Sequence, residues 1–188
     1  MSKRTSEHET MLSIWQQHLY AEFELKDAEA ALATMTENPH VFLIPAGTGG
    51  TGKEGVRDFY ANHFLPFIPP DIEMVTVSES SGQDRIVGEY VLRFTHKLNM
   101  DWLLPGVPPT DRKVEFVLVV IIQFEDGKMA SEHLYWDQAS VLSQLGILVI
   151  PVAAAGIASV AKLIELSAQN HIASGLPCSQ EMTRVING

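Results

Sequence analysis

The sequence has only one cysteine, Cys178, among its 188 residues. One cysteine cannot form an internal disulfide or a thiolate metal cluster, so the cysteine content does not indicate a secreted, disulfide-stapled fold. Basic residues are also few, because 13 Lys and Arg stand against 23 Asp and Glu, which gives a net charge of −10. Nucleic-acid binding needs a cluster of basic side chains to neutralise phosphates, and the chain has none. We therefore expect no nucleic-acid partner, and the acidic field disfavours a large anionic cofactor.

Long uninterrupted apolar runs are missing as well. The most apolar stretch, residues 145–160, is broken by Pro151 and Gly156. It falls short of the ~18 unbroken apolar residues that a membrane-spanning helix needs. The first ten residues are polar and lack the apolar centre of a signal peptide. We predict a cytoplasmic protein without a membrane partner, in which residues 145–160 are buried or lie at an interface.

Histidine spacing gives no sign of a metal site. The chain has seven histidines, and no two of them have the H-x-x-x-H spacing of a helical metal motif. We therefore predict no metal site.

Apolar periodicity predicts an α+β fold. Residues 7–35 read as one long helix that ends at Asn38-Pro39, because the residue before proline disfavours helix. Further elements are a strand at 41–44, a helix at 54–64, strands at 72–78, 85–97, 113–125 and 128–138, a helical turn at 140–145 and a possible helix at 154–170. We assign residues 1–148 to one domain and 149–188 to a partly helical C-terminal extension that packs on the domain or on a dimer partner.

A glycine-rich stretch at residues 45–55 is similar to a phosphate-binding loop. Gly47 and the Gly52-Lys53 pair have its G-x-x-x-x-G-K spacing. The next position, where that loop supplies a hydroxyl to Mg²⁺, is Glu54, whose carboxylate would repel phosphates. The predicted strands are also antiparallel rather than joined by helical crossovers. We interpret the stretch as a turn from a strand into a helix.

The hairpin around Asp126-Gly127 is the most informative segment, since D-G between two strand-like runs is a strong turn signal. Simple two-residue pairing places Asp137 opposite Phe116 and puts His133 and Tyr135 on the same face. A sheet that curls around helices would make this face one wall of a small-molecule pocket. Desolvation there would raise the pKa of Asp137 and suit it to general acid/base work. Two alternatives remain open: Asp137 caps the following helix, and His133 is a core or interface histidine.

The other face of the hairpin is apolar in this register, with Val117, Val119, Ile121, Leu134 and Trp136. Such a face predicts a homodimer through the sheet. Cover by the C-terminal extension is the alternative.

Four stretches together resemble the SnoaL-like polyketide cyclase family of the NTF2-like superfamily. They are Gly52-Lys53-Glu54-Gly55-Val56 with Phe59-Tyr60, Phe94-Thr95-His96 with residues 105–110, Phe124-Glu125-Asp126-Gly127-Lys128, and Glu132-His133 through Trp136-Asp137 to Gln144-Leu145-Gly146. The resemblance covers about residues 10–148. It implies a cone in which a strongly bent antiparallel sheet wraps around a long N-terminal helix and two shorter helices.

The resemblance also implies a function, namely proton transfer by an aspartate that matches Asp137, without metal or cofactor. The family's partner histidine has no counterpart on the strand before the hairpin, so His96, His133 or His18 would replace it. Glu132 precedes Asp137 by five residues where the family usually has six, which indicates a bulge or register change. Trp15, His18, Tyr135, Phe116 and Trp102 are the predicted pocket residues.

Two functions follow as hypotheses. One is an enzyme acting on a small carbonyl or polyketide-like substrate as a cyclase, isomerase, dehydratase or lactone hydrolase. The other is a non-catalytic small-molecule-binding or assembly module, because the fold hosts many functions.

Overall fold

The structure is a computed structural model that describes residues 3–148 and 160–165. Its helices are α1 (Lys3–Leu19), α2 (Ala28–Ala33), α3 (Gly52–Asp58) and α4 (Gln138–Gln144), followed by the short helix α5 (160–165). π-Helical turns extend α1 through Tyr20–Leu25 and α3 through Phe59–Phe64, and a 3₁₀ turn follows at Leu65–Phe67. The strands are β1 (Met35–Leu43), β2 (Thr48–Thr51), β3 (Glu73–Ser81), β4 (Arg85–Thr95), β5 (Lys113–Glu125) and β6 (Lys128–Trp136).

The described strands form one sheet in the order β2-β1-β6-β5-β4-β3. All neighbours are antiparallel except β1 and β6, which pair in parallel and so correct the expectation of a wholly antiparallel sheet. The helices α1 to α3 cover one face, here called the inner face, and their apolar side chains join those of the sheet in one core. The predicted α+β class is confirmed.

The N-terminal segment is not one helix to Met35. The backbone of Lys26 is left-handed, with a φ of 50°, and this ends the first helix. Asp27 then caps α2, because its side chain accepts hydrogen bonds from the backbone N–H groups of Glu29 and Ala30 at 2.9 and 3.1 Å. Strand β1 already begins at Met35. The apolar spacing continued across the break, so periodicity alone did not reveal it.

The glycine-rich stretch contains the short strand β2, which folds back on β1 as a hairpin before α3 begins. Gly49 has a φ of 138°, and a Cβ there would lie 2.0 Å from the carbonyl oxygen of Val41. Only glycine permits this approach of the two backbones. Strand β1 is thus followed by another strand rather than directly by a helix, unlike a phosphate-binding loop.

The predicted Asp126-Gly127 turn is present, with positive φ angles of 50° and 72° as a two-residue hairpin requires. The pairing beyond it differs from the prediction. Phe124 pairs with Met129, but Gln123 pairs with Ser131, which leaves Ala130 as an extra residue in a β-bulge.

The bulge shifts the later residues of β6 by one position, and a shift of one turns each side chain to the opposite face. Glu132 pairs with Ile122 and is buried on the inner face, whereas His133 pairs with Ile121 on the outer face. The predicted pairing of Phe116 with Asp137 is therefore wrong. The five-residue spacing from Glu132 to Asp137 does not account for this bulge, because the bulge precedes Glu132 and the pairing from Glu132 to Trp136 is regular.

The outer face is partly covered by the C-terminal extension. Val160 of α5 is buried against Val77 and Val91, with Leu163 and Ile164 packed beside it. Residues 149–159 and 166–188 lie outside the described part, including most of the predicted helix at 154–170. Within the described residues, no helix has the length and apolar character to cross a bilayer.

Candidate active site

A small cavity lies between the helices and the inner face of the sheet. Its unfilled space is about 40 Å³, room for only a few waters. Six aromatic residues contribute to its wall: Trp15, Phe23, Phe59, Tyr60, Phe64 and Trp102. Glu22 and Glu132 are the only charged residues that line it in the described chain. The cavity therefore combines an apolar wall with one acidic end, which is the usual composition of a small-molecule site.

Four buried polar side chains meet at that end. His18 Nε2 lies 3.2 Å from Glu22 Oε1, 3.8 Å from Glu132 Oε2 and 2.9 Å from the Tyr60 hydroxyl oxygen. The Tyr60 hydroxyl also donates to Glu132 Oε2 at 3.4 Å. We call His18, Glu22, Tyr60 and Glu132 the buried centre. It joins α1, the π-helical turns after α1 and α3, and strand β6.

Hydrogen bonds on the far side of His18 determine which of its two nitrogens carries a hydrogen. The Thr34 hydroxyl donates to the carbonyl oxygen of Ala31 at 2.7 Å, so it can only accept from His18. His18 Nδ1 lies 2.7 Å from that hydroxyl and 3.2 Å from the same carbonyl oxygen. Both partners are acceptors, so Nδ1 carries a hydrogen. Nε2 is therefore the nitrogen that exchanges a proton with the centre.

Burial and then the neighbouring Glu22 carboxylate raise the pKa of Glu132 to about 8. His18 and the hydrogen bond from Tyr60 lower this pKa, but by less. Burial lowers the pKa of His18, but Glu22 and Glu132 outweigh it, so the pKa lies above 6.5. Burial also raises the pKa of Tyr60 well above its usual range. Near neutral pH, Glu132 and Tyr60 therefore hold protons, and Glu22 is the neighbour that most favours the charged form of His18.

The same donor atoms could hold a metal ion. One ligand atom each of His18, Glu22 and Glu132 lies within 4.8 Å of the others. Imidazole and carboxylate form such sites in enzymes. The Tyr60 hydroxyl lies among these atoms, and the four side chains already pair with one another through hydrogen bonds and ion pairs.

Trp15 is held in the cavity wall by a second chain of hydrogen bonds, which runs from the core to half-buried Glu79. Its indole N–H donates to the Tyr90 hydroxyl at 2.8 Å, and that hydroxyl donates to Glu79 Oε1 at 2.7 Å. A Cβ at Gly88 would lie 2.3 to 2.5 Å from atoms of the Tyr90 side chain. The glycine therefore makes room for the tyrosine that positions Trp15.

The loop between β4 and β5 closes the cavity on another side. Trp102, Leu103 and Leu104 are all buried, and the Trp102 ring meets Phe64 edge-on at 4.9 Å between centroids. Thr48 donates to the carbonyl oxygen of Trp102 at 2.6 Å, which fixes the loop to strand β2.

Only some of the predicted pocket residues lie at the cavity. Trp15 and Trp102 line the cavity, and His18 belongs to the buried centre. Phe116 is buried on the inner face but packs with Phe94 and Trp136 rather than lining the cavity. Tyr135 is 39% exposed on the outer face, because the bulge reverses its direction.

The predicted catalytic residues do not come together. Asp137 is exposed and caps α4 by accepting a hydrogen bond from the backbone N–H of Ser140 at 3.1 Å, so its predicted desolvation is wrong and the capping alternative applies. His133 lies on the outer face, where burial and then His40 lower its pKa. His96 is buried, its Nδ1 lies 3.2 Å from the Thr110 hydroxyl, and burial lowers its pKa. None of the three lines the cavity.

Glu22, Tyr60 and Glu132 were not predicted as site residues. The spacing of His18 and Glu22, four apart on a helix, was an available signal, because such residues share a helix face. Without the bulge, the simple two-residue pairing would put Glu132 on the outer face with Leu134 and Trp136. Nothing in the local sequence marks Tyr60, whose hydroxyl reaches the centre only through helix packing.

Comparison with known proteins agrees with this architecture. The sequence profile described as "SnoaL-like domain" matches residues 17–132. No curated protein matches the chain. A protein from Jannaschia sp. CCS1 named as a SnoaL-like polyketide cyclase has 20% identity and a TM-score of 0.59, covering 79% of this chain and 98% of its own.

Two other solved structures carry different names. AclR from Streptomyces galilaeus, named as a hydroxylase, has 18% identity and a TM-score of 0.57, with 86% of this chain and 98% of its own covered. A protein from Catenulispora acidiphila DSM 44928 with a ketosteroid isomerase-like fold, in complex with trimethylamine, has 16% identity and a TM-score of 0.55, with 72% and 93% covered. These identities establish a shared fold and leave the reaction open. The chain belongs to the SnoaL-like domain family and has the NTF2-like, ketosteroid isomerase-like fold.

Proposed function

We propose that the protein is an enzyme that transfers protons by acid/base catalysis on a small, uncharged carbonyl compound, without a cofactor. The reaction class is cyclisation, isomerisation, dehydration or lactone hydrolysis. The observation that carries the proposal is Glu132, a buried carboxyl at the end of an apolar cavity whose pKa is raised to about 8 beside the Glu22–His18 pair. Two carboxyl groups with different protonation are the usual arrangement of an acid and a base in one site.

Each group of the buried centre has a role in this chemistry. The Glu22 carboxylate, which lines the cavity, takes a proton from the carbon next to the substrate carbonyl. The protonated Glu132 donates its proton to the carbonyl oxygen. The substrate C–H bond and the Glu132 O–H bond break, O–H bonds form on Glu22 and on the substrate oxygen, and an enol results. His18 offsets the charge of Glu22. Tyr60 donates a hydrogen bond at 3.4 Å that stabilises Glu132 once it has become a carboxylate.

The cavity wall limits the substrate class. Its charged lining residues in the described chain are Glu22 and Glu132, and the Glu22 carboxylate would repel a phosphate or carboxylate group. The unfilled space of about 40 Å³ is too small for a fused-ring compound unless wall residues move. A small neutral ketone or lactone fits these conditions, and a polyketide-like substrate requires movement of the loop that carries Trp102.

A non-catalytic binding module is the second candidate. The relative from Catenulispora acidiphila, in complex with trimethylamine, supports it, because that complex is an example of a small ligand held by this fold. A measurement of turnover distinguishes the two candidates. A binding module shifts the NMR signals of its ligand but leaves the ligand chemically unchanged.

The proposed test measures hydrogen–deuterium exchange next to the carbonyl for a panel of small ketones in D₂O, followed by NMR. We expect exchange with the natural chain and at least about a hundredfold loss in Glu132→Gln, which keeps the shape but cannot transfer a proton. Asp137→Asn is the matched control and should keep the rate. Loss in Asp137→Asn with retention in Glu132→Gln would overturn the assignment, and binding without any exchange would favour the module.

We further propose a homodimer formed through the outer face of the sheet. Phe42, Ile44 and Tyr135 are 43%, 37% and 39% exposed and lie on or next to the adjacent strands β1 and β6. α5 packs instead against β3, β4 and β5. The cytoplasmic location stays a prediction.

A further inference from the structure

Two histidines meet on the outer face, away from the cavity. His40 lies on β1 and His133 on β6, and their Nε2 atoms are 3.0 Å apart, which is hydrogen-bonding distance between one protonated and one unprotonated nitrogen. The ring centroids are 5.0 Å apart and the rings are tilted by 41°. In the single chain His40 is exposed and His133 is half-buried, so solvent and dissolved ions reach the pair. A second copy on the proposed dimer surface around Phe42 would lie next to it.

The sheet fixes the backbone positions from which both rings project. In the parallel pairing of β1 with β6, His133 stands opposite Phe42, and His40 stands opposite Ser131. Both strands have a neighbour on each side, β2 beyond β1 and β5 beyond β6. The bulge at Ala130 that turns Glu132 inward turns His133 outward. Bringing the two imidazoles together therefore requires little further ordering when a ligand binds.

The distance between the two nitrogens suits a shared metal ion. With Zn–N bonds of 2.0–2.1 Å, two imidazole nitrogens lie about 3.3 Å apart at a tetrahedral angle and about 2.9 Å apart at a right angle. The observed 3.0 Å lies within this range. We propose that His40 and His133 form a two-histidine site for a borderline divalent cation, Zn²⁺ or Cu²⁺, which is separate from the buried centre.

Ligand chemistry selects the class of ion. Imidazole nitrogen suits Zn²⁺, Cu²⁺ and Ni²⁺, whereas Mg²⁺ and Ca²⁺ require oxygen ligands. The net charge of −10 attracts cations to the surface in general. Two protein ligands leave the remaining coordination positions to water or to a group from another molecule. Because the site faces outward, it does not depend on the proposed reaction in the cavity.

The test is titration of the full, untagged chain with ZnCl₂ by calorimetry at pH 7.5, after dialysis against a chelator. We expect saturable binding that weakens more than about tenfold in His40→Ala and in His133→Ala, since each removes one of two ligands. His63→Ala is the matched control, because His63 is another exposed histidine, 59% exposed at the side chain, and should leave binding unchanged. Electron paramagnetic resonance with Cu²⁺ should count two coordinated imidazole nitrogens in the natural chain and one in His40→Ala.

Three results would overturn the proposal. The first is no binding of either ion by the natural chain. The second is equal binding by the natural chain, His40→Ala and His133→Ala. The third is loss of binding in Glu22→Gln together with full binding in His40→Ala, which would assign the ion to the buried centre. Circular dichroism of each variant confirms that a change in binding does not reflect unfolding, and exposed His40 makes His40→Ala the safer variant.

Discussion

The imidazole of His18 on α1 and the carboxyl of Glu132 on β6 lie 3.8 Å apart inside the protein. The Tyr60 hydroxyl joins them, at 2.9 Å from His18 Nε2 and 3.4 Å from Glu132 Oε2. The three groups come from different elements, so the site exists only when the helices are packed on the sheet. The proposed chemistry therefore requires the folded protein.

Replacing Tyr60 by phenylalanine should slow the proposed exchange reaction by about a hundredfold, because it removes a hydrogen-bond donor from the centre while keeping the ring. Tyr20→Phe is the matched control, since Tyr20 is 51% exposed. The measurement is ketone exchange in D₂O. Equal rates in the two variants would contradict a role for the Tyr60 hydroxyl.

Stability should fall as pH rises from about 5 to 8. Glu132 keeps its proton in the folded chain up to a pKa of about 8, whereas its ordinary value is 4.5. Between these values the folded state binds the extra proton, so the free energy of unfolding falls by up to about 1.4 kcal/mol per pH unit. The raised pKa of His18 acts in the same direction, because its contribution is complete below 6.5 and is lost as pH rises through the folded value.

Urea unfolding at several pH values between 5 and 8 measures this slope. Glu132→Gln should make it shallower, because glutamine does not titrate. Parallel curves for the natural chain and the variant would show that Glu132 has an ordinary pKa in the folded protein.

Gly88→Ala should destabilise the protein by about 1–3 kcal/mol, as overpacking of a core does. The new methyl group would overlap the Tyr90 side chain and push Tyr90 away from Trp15. Thermal unfolding measures the loss, and tryptophan fluorescence reports the movement of Trp15. An unchanged melting temperature would mean that Tyr90 can move without cost.

Phe42→Glu should dissociate the proposed dimer, because it places a charge in the exposed apolar part of the outer face. Leu25→Glu is the matched control, since Leu25 is 52% exposed and lies at the end of the π-helical turn after α1. Light scattering at two protein concentrations gives the mass. A natural chain that is a monomer at both concentrations would overturn the dimer.

An EDTA-dialysed sample should keep its full ketone exchange rate, because the proposed chemistry uses only protons of the buried centre. A loss of rate that Zn²⁺ restores would instead assign a metal ion to His18, Glu22 and Glu132. The outer pair His40 and His133 is expected to lose its ion under the same treatment without affecting the rate.

The local sequence was sufficient for much of the fold. Strand β5 was predicted at its observed bounds, and the turn at Asp126-Gly127 was found because its two positive φ angles require such residues. The break at Lys26 was missed, because the apolar residues beyond it still follow a helical spacing, with only a drift in its phase. The parallel pairing of β1 with β6 was missed for a different reason, since strand partners far apart in the chain leave no local signal.

Composition, turn residues and the four stretches that resemble the SnoaL-like family determined the α+β class and the family of this protein by themselves. The site was decided only by tertiary structure. One extra residue at Ala130 exchanges the two faces of β6, so Glu132 enters the core and His133 leaves it. Asp137 follows the strand and caps α4. A single bulge has this effect because side chains alternate with a period of two along a strand. The raised pKa of Glu132 arises from burial and from Glu22, which approaches it only after the helices have packed on the sheet.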